Sequence, residues 1–142
     1  MTVLGIDIGG SGIKAAIVDV KTGELISERH RIQTPKPATP EAIAKVIKEI
    51  VTHFNWEKAV GCSFPTTIVD GKCIHSGNLS EKWLNVKVDK LFKKECKIPF
   101  YVSNDADLAG VAEISLGAGK NEKGVVITIT IGTGIGSGFF YN

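Results

Sequence analysis

Ser103-Asn104-Asp105-Ala106-Asp107 is the stretch that decides the interpretation of this chain, and it runs directly into Leu108-Ala109-Gly110-Val111-Ala112-Glu113. An apolar, extended run precedes it, so the pattern predicts a strand that ends in polar side chains and turns at once into a helix. Three alanines give the small-residue spacing of a closely packed helix: Ala106, Ala109 and Ala112. At such a junction Asn104 and Asp105 either cap the helix or face a substrate hydroxyl, with the carboxylate as a base.

Two glycine-rich turns lie on either side of this junction, one near each end of the chain. The first is Asp7-Ile8-Gly9-Gly10-Ser11-Gly12-Ile13-Lys14, and the second is Gly132-Thr133-Gly134-Ile135-Gly136. Glycine permits positive φ and lets phosphate oxygens approach backbone amides without a Cβ in the way. The candidate phosphate-binding residues are Gly9, Gly10, Ser11, Gly12, Lys14, Gly132, Thr133, Gly134 and Gly136. A tight turn needed only for chain geometry explains each turn, taken alone, as well as a phosphate site does.

Neither turn matches a standard nucleotide motif. Both lack the third glycine of a Rossmann fingerprint and the helix that follows it, and neither has the Gly-Lys-Ser/Thr ending of a Walker A loop. Asp7 ends the strand before the first turn. Its carboxylate either caps that turn or holds a hydrated Mg²⁺ near bound phosphates.

The order of predicted elements is β-β-β-α-β…α-β-α-β-β, which indicates a mixed sheet packed against helices. Three strands at residues 3–8, 13–20 and 25–32 form an antiparallel meander. Thr39-Pro40-Glu41 predicts a helix start with a capping hydroxyl and proline at the first helical position. The other predicted elements are strand 58–64, hairpin 66–74 turning at Asp70-Gly71, helix 88–95, strand 99–102, a helix ending near Gly117, and strands 124–131 and 137–141.

Composition excludes several function classes. The chain has 142 residues, 43% hydrophobic, with 17 Lys+Arg against 15 Asp+Glu, and the net charge of +2 gives no case for a nucleic-acid or membrane partner. No apolar run reaches the roughly 18 residues of a spanning helix, and the amino terminus lacks the pattern of a signal peptide. Three cysteines without a C-x-x-C pair predict reduced thiols in a cytoplasmic protein rather than disulfides or a zinc site.

Three motifs in this order resemble those of the ROK (repressor, ORF, kinase) family, within the sugar kinase/Hsp70/actin superfamily. Residues 4–14 are similar to its first phosphate motif, residues 104–107 with Glu113 to its sugar-site motif, and residues 131–138 to its second phosphate motif. The connector at 34–40 and Asp107, where many members have Asn, resemble the polyphosphate glucokinase branch.

The resemblance implies a ribonuclease H-like fold of the actin/hexokinase/Hsp70 ATPase type. It implies an enzyme that transfers a phosphoryl group from polyphosphate or ATP to the 6-hydroxyl of glucose, with Mg²⁺. Asp105 is then the general base, and Asn104 and Asn78 hydrogen-bond sugar hydroxyls. Pro65 is expected to shape the sugar pocket. On local grounds, Asn78 is equally well a turn-forming residue after Gly77.

Residues 1–142 are expected to form a single N-terminal lobe, with the second lobe absent from this chain and little activity in the fragment alone. The full-length protein is expected to be a cytoplasmic homodimer. The alternatives are a sugar-sensing ROK regulator without catalysis and another ATPase of the superfamily. Because the chain keeps Asp105 at the position that matches the family's general base, the resemblance favours the kinase.

Remaining charged and aromatic residues carry weaker signals. Five lysines form a basic stretch, for which a solvated helix face is favoured and a track for polyphosphate is the alternative: Lys87, Lys90, Lys93, Lys94 and Lys97. The histidines His30, His53 and His75 are expected in loops or solvent, and Trp56 and Trp83 in packing.

Overall fold

The computed structural model describes residues 1–77, 79–131 and 135–141. The chain divides into two units, Met1–Ser103 and a second that begins at Asn104. No helix among the described residues is both long and apolar enough to cross a membrane.

The first unit begins with the predicted antiparallel meander. β1 (Thr2–Ile8) pairs with β2 (Gly12–Asp19), which pairs with β3 (His30–Gln33). The predicted third strand at 25–32 is wrong in extent. Before His30 the returning chain makes one isolated bridge, Val18↔Leu25, and the Leu25 and Ile26 side chains stay exposed. Because this segment buries little apolar surface, the continuous ladder starts only at His30.

Two further strands complete a five-stranded sheet of order β3-β2-β1-β4-β7. β4 (Val60–Phe64) runs parallel to β1, and β7 (Phe100–Asn104) is the edge strand opposite β3. Along β1 every second side chain is buried, and these residues join the core: Leu4, Ile6 and Ile8. The predicted mixed sheet with a meander at one edge is therefore confirmed.

A hairpin follows β4 where the Asp70-Gly71 pair predicts a turn. β5 (Ile68–Val69) pairs with β6 (Lys72–Cys73), and φ is 49° at Asp70 and 72° at Gly71. Positive φ at both central residues is the geometry that a two-residue hairpin needs to match strand twist.

Two helices contribute apolar faces to the same core. α1 (Pro40–His53) begins as predicted, with the Thr39 side chain accepting a hydrogen bond from the amide of Ala42 at 3.3 Å. α2 (Val88–Cys96) contributes Val88 and Phe92. Trp83, which lies between α1 and α2 in the sequence, is fully buried. Its ring packs edge-on against that of Phe64 with the centroids 4.8 Å apart, and its indole N–H donates to the Ala38 carbonyl at 2.8 Å.

The second unit is one helix against one hairpin. α3 (Asp105–Ser115) packs on β8 (Val125–Ile131) and β9 (Ile135–Tyr141). A Cβ added at Gly110 would lie 2.5 Å from the Phe140 ring, and one added at Gly136 would lie 2.6 Å from the Ala106 Cβ.

The close contact of α3 therefore runs through Ala106 and Gly110. Ala109 and Ala112 are exposed, so the predicted three-alanine face is wrong. Residues four apart share a helix face, and Ala106 with Gly110 satisfies that spacing. The helix ends at Ser115, and Leu116 rather than the predicted Gly117 occupies its capping position.

Candidate active site

The first glycine-rich segment forms the turn between β1 and β2. Its two strands register Asp7 opposite Lys14 and Ile8 opposite Ile13. The turn closes through a hydrogen bond from the Gly9 amide to the Gly12 carbonyl at 3.1 Å. Within the described part of the chain, the amides of Gly10 and Ser11 donate to no protein acceptor. Two exposed backbone donors at one turn are what an anion site requires.

Asp7 lies between two polar side chains from neighbouring strands. Its Oδ1 accepts a hydrogen bond from the Ser63 hydroxyl at 2.6 Å, and its Oδ2 lies 3.9 Å from the Lys14 ammonium. Both contacts follow from register, since Asp7 is paired with Lys14 in β2 and with Ser63 in β4. The carboxylate stays about half exposed, so it remains accessible to a ligand.

Two residues outside the motif hold the turn in place. The Thr34 hydroxyl, on a residue only 4% exposed, donates to the Gly9 carbonyl at 2.6 Å. The Arg31 guanidinium donates to the Ser11 carbonyl at 3.1 Å. Because both bonds satisfy carbonyl oxygens, they fix the turn without using its amides.

Glycine is needed in this turn for close approach rather than for positive φ. Gly9, Gly10 and Gly12 all lie outside the left-handed region, so the turn does not use the positive φ that glycine permits. A Cβ at Gly9 would lie 3.0 Å from the Gly12 carbonyl, and one at Gly12 would lie 2.6 Å from the Arg31 side chain. A Cβ at Gly10 would meet nothing within 4 Å, so that position opens to solvent.

The sugar-side residues of the first unit are described in part. Pro65 follows β4 in a half-buried loop, and a Cβ added at Gly77 would lie 3.7 Å from the Pro65 carbonyl. Asn78, the next residue, lies outside the described residues. Gly77 has a φ of 55°, and its amide donates to His75 Nδ1 at 3.0 Å. The assignments of Pro65 and Asn78 to the sugar pocket stay predictions.

Asn104 and Asp105 both lie at the start of α3. The Asn104 Oδ1 caps the helix, accepting from the amides of Ala106 at 2.9 Å and Asp107 at 3.2 Å. Asp105 is the first helical residue and is exposed. Its Oδ1 also accepts from the Ala106 amide, at 2.8 Å, whereas its Oδ2 has no partner among the residues described.

Asn104 therefore takes the capping role through its side-chain oxygen. One carboxylate oxygen of Asp105 is left without a protein partner among the described residues, and the role of Asp105 as a base stays a prediction. The positive end of the helix favours negative charge at Asp105. Glu113, further along the motif, instead accepts from the Ala118 amide at 3.0 Å and closes the turn after α3.

The second glycine-rich segment lies mostly outside the described residues, which exclude Gly132, Thr133 and Gly134. Its last glycine, Gly136, is in β9. Because a Cβ at this position would lie only 2.6 Å from that of Ala106, glycine here admits the first turn of α3. Its assignment to phosphate binding stays a prediction.

The donor set at Asp7 suits a hydrated Mg²⁺ rather than a fully caged metal. No cluster of three or more His, Cys, Asp or Glu side chains that could hold a metal ion occurs among the described residues. Magnesium typically keeps several waters and is bound by one or two carboxylates together with substrate phosphates. The half-exposed Asp7 carboxylate, supported by Ser63, fits that requirement.

The structure brings together the residues of the first motif: Asp7, Gly9, Gly10, Ser11, Gly12 and Lys14. Sequence reasoning missed the three that position them, Ser63, Thr34 and Arg31. Ser63 gave no local signal, because its contact with Asp7 depends on the parallel pairing of β4 with β1.

His30 is half-buried in β3, so its predicted position in a loop or in solvent is wrong, whereas His53 at the end of α1 is exposed. The two imidazole rings stack with centroids 3.8 Å apart. Trp56 donates its indole N–H to the Ala59 carbonyl at 3.1 Å. Cys62 and Cys73 are buried free thiols, and Cys96 is half-buried. Burial raises the pKa of the Cys62 thiol far above its ordinary value.

Comparison with known proteins defines the class. The ROK family model matches residues 3–142, so this chain belongs to the ROK family. The mixed sheet and its helices thus form an actin-like ATPase fold, as the motifs predicted.

Among individual relatives, the chain is 43% identical over 139 residues to a polyphosphate glucokinase of Mycobacterium tuberculosis, covering 97% of this chain and 52% of that protein. It is also similar to the inorganic polyphosphate/ATP-glucomannokinase of Arthrobacter sp. strain KM, with a TM-score of 0.94 and 43% identity over 99% of this chain and 58% of that one. A ROK glucokinase of Streptomyces griseus, solved with glucose and AMPPNP, matches with a TM-score of 0.85 and 30% identity over 99% of this chain and 45% of that one. This chain therefore spans about half the length of these relatives.

Proposed function

We propose that this chain is the N-terminal lobe of a sugar kinase that transfers a phosphoryl group from polyphosphate or ATP to the 6-hydroxyl of glucose. Support comes from family membership, from relatives that are named polyphosphate glucokinase and glucokinase, and from the first phosphate motif. The observation that carries the proposal is Asp105. It presents an exposed carboxylate oxygen, free of protein partners among the described residues, at the start of α3.

In the proposed step the glucose 6-oxygen forms a bond to the terminal phosphorus of the donor. The bond from that phosphorus to its bridging oxygen breaks, and the leaving chain takes the electron pair. The hydroxyl proton passes to the Asp105 carboxylate. A carboxylate is a weak base near neutral pH, so Asp105 contributes mainly by orienting the hydroxyl and by accepting its proton late.

Phosphoryl transfer needs alignment and charge neutralisation more than covalent chemistry from the protein. The Gly10 and Ser11 amides would hold phosphate oxygens, and the Lys14 ammonium would add positive charge. Asp7 would hold a hydrated Mg²⁺, which supplies further charge neutralisation when bound. Thr34 and Arg31 keep the turn in shape through its carbonyls.

On the sugar side, Asn104 and Asn78 would hydrogen-bond glucose hydroxyls, and Pro65 would shape the pocket. Gly132, Thr133, Gly134 and Gly136 would form the second phosphate contact. The same proposal includes a second lobe, a homodimer and a cytoplasmic location for the complete gene product.

The test is to incubate the complete gene product with glucose and either ATP or polyphosphate and to measure glucose 6-phosphate. We expect product from glucose with at least one donor. The matched control is 6-deoxyglucose, which lacks the acceptor hydroxyl and should give no phosphorylated sugar. Glucose binding without turnover would instead identify a sugar-sensing regulator, and ATP hydrolysis without sugar phosphorylation would identify another ATPase.

A further inference from the structure

A stripe of five exposed lysines follows α2 from its N-cap to its C-cap. This lysine stripe consists of Lys87, Lys90, Lys93, Lys94 and Lys97, and all five are exposed. Lys87 precedes the helix as its N-cap, and Lys97 follows it as its C-cap. The stripe holds five positive charges, whereas the whole chain has a net charge of only +2.

Helical geometry places the three lysines inside α2 on one side, because at about 100° per residue Lys90, Lys93 and Lys94 fall within an arc of about 100°. Lys87 and Lys97 lie next to the two ends of the helix as its caps. At about 1.5 Å rise per residue, the five positions span about 15 Å. The acidic residues of α2, Asp89 and Glu95, fall outside this arc. Glu95 pairs with Lys48 of α1 at 3.3 Å. Among the ion pairs of the described residues, none involves a lysine of the stripe.

Helix stability alone does not account for this arrangement. Lysines near the carboxyl end of a helix interact favourably with its dipole, which covers Lys93, Lys94 and Lys97. Lys87 and Lys90 are at the opposite end, where positive charge is unfavourable. Like charges three and four residues apart also repel. Lys87 donates one hydrogen bond to the Asp70 carbonyl at 2.6 Å, which leaves its charge without a counterion among the described residues.

We propose that the lysine stripe binds the chain of inorganic polyphosphate at units distant from the reacting end, an inference that rests on the proposed function. Polyphosphate is a linear anion that carries a charge on every unit, and it can run along a straight row of ammonium groups. Lysine ammonium groups act as point charges without a required geometry, which suits a polymer that has no bases to read. The triphosphate of ATP is too short to span the row.

Nucleic acid fits the stripe less well than polyphosphate does. Proteins that bind single strands combine positive charge with aromatic side chains on which bases stack. The arc of the lysine stripe contains no aromatic residue, since Phe92 of α2 is fully buried in the core. A row of positive charges without aromatic residues for base stacking favours polyphosphate over nucleic acid.

The test replaces the middle of the stripe in the complete gene product with Lys90→Gln, Lys93→Gln and Lys94→Gln. Glutamine has nearly the helix propensity of lysine, so α2 should be retained. The control carries Lys21→Gln, Lys45→Gln and Lys120→Gln, which are exposed positions elsewhere and change the net charge by the same amount. Binding of end-labelled long-chain polyphosphate is measured by fluorescence anisotropy, and kcat/KM is measured with polyphosphate and with ATP.

We expect the stripe variant to bind long-chain polyphosphate about tenfold more weakly than the control, because each exposed ion pair contributes a factor of about 1.4 to 5. The ratio of kcat/KM for polyphosphate to that for ATP should fall by a similar factor, and tripolyphosphate should be affected less. Equal binding by the two variants would overturn the inference, as would equally tight binding of single-stranded DNA.

Failure of the proposed function gives a different result. Stripe-dependent binding without any glucose phosphorylation would support the polyphosphate surface and remove the kinase proposal. Polyphosphate-driven turnover with the same KM in both variants would support the kinase and remove the surface.

Discussion

The hydroxyl of Thr34 offers the sharpest test of how the first phosphate turn is held. It donates to the Gly9 carbonyl at 2.6 Å across a sequence separation of 25 residues, from a residue that is 4% exposed. Thr34→Val keeps the shape of the side chain and replaces only the hydroxyl by a methyl group. The Gly9 carbonyl then loses its protein donor while the side chain introduces no unsatisfied group of its own.

The magnitude follows from the burial of the two partners. A hydrogen bond of this kind contributes about 0.5–1.5 kcal/mol net, and an acceptor left buried costs about 1–3 kcal/mol. Gly9 is only half-buried, so water can partly replace the donor. We therefore expect Thr34→Val to lower the free energy of unfolding by about 1–2 kcal/mol. The KM for the phosphoryl donor should rise, because the Gly10 and Ser11 amides lose their fixed orientation.

Urea denaturation and steady-state kinetics on the complete gene product measure the two effects. Thr34→Ser is the matched control, since it retains the hydroxyl and should keep the donor KM near that of the wild type. The reasoning is refuted if the valine variant unfolds at the same urea concentration as the wild type with an unchanged KM. It is equally refuted if serine raises the KM as much as valine does.

Three further predictions concern other parts of the molecule. Gly10→Ala should change the free energy of unfolding by less than about 0.5 kcal/mol, as is usual for surface substitutions. It should raise the KM for the phosphoryl donor, because the new methyl group occupies the open approach to the turn. An unchanged KM would remove Gly10 from donor binding. Asn104→Ala should lower the free energy of unfolding by about 1 kcal/mol through loss of the helix cap, whereas Asn104→Asp should retain stability and weaken glucose binding. Calorimetry measures the stability and glucose titration measures the binding. Equal destabilisation by both changes would contradict the capping assignment. Burial, followed by the nearby Glu95 carboxylate, raises the pKa of Cys96 from 9.0 to about 11. Since the unfolded thiol then ionises first, the free energy of unfolding should fall as pH rises from about 9 to 11, and Cys96→Ala should reduce that fall; an identical pH dependence in the variant would contradict the shift.

Local signals predicted the elements whose geometry is set by a few adjacent residues. The Thr39-Pro40 start of α1 and the Asp70-Gly71 turn both depend on side-chain capping or on backbone angles within four residues. The three motifs likewise predicted the family correctly. These features need no knowledge of which distant strands become neighbours.

Long-range register explains most of what the sequence could not predict. Ser63 contacts Asp7 because β4 pairs with β1 at a separation of 56 residues, and no local pattern specifies that pairing. The same holds for Thr34 with the Gly9 carbonyl. In α3 the tight contact runs through Gly110 rather than Ala109, because the position of β8 and β9 decides which helix face is buried.

The most direct test of the central claim is the turnover of Asp105→Asn in the complete gene product. This change keeps the size of the side chain and removes its ability to accept the hydroxyl proton. We predict that the rate of glucose 6-phosphate formation falls by about 10²–10⁴-fold, the usual contribution of a general base, with the Kd for glucose changed by less than a few-fold. A variant that phosphorylates glucose at the wild-type rate would contradict the assignment of Asp105 and the mechanism built on it.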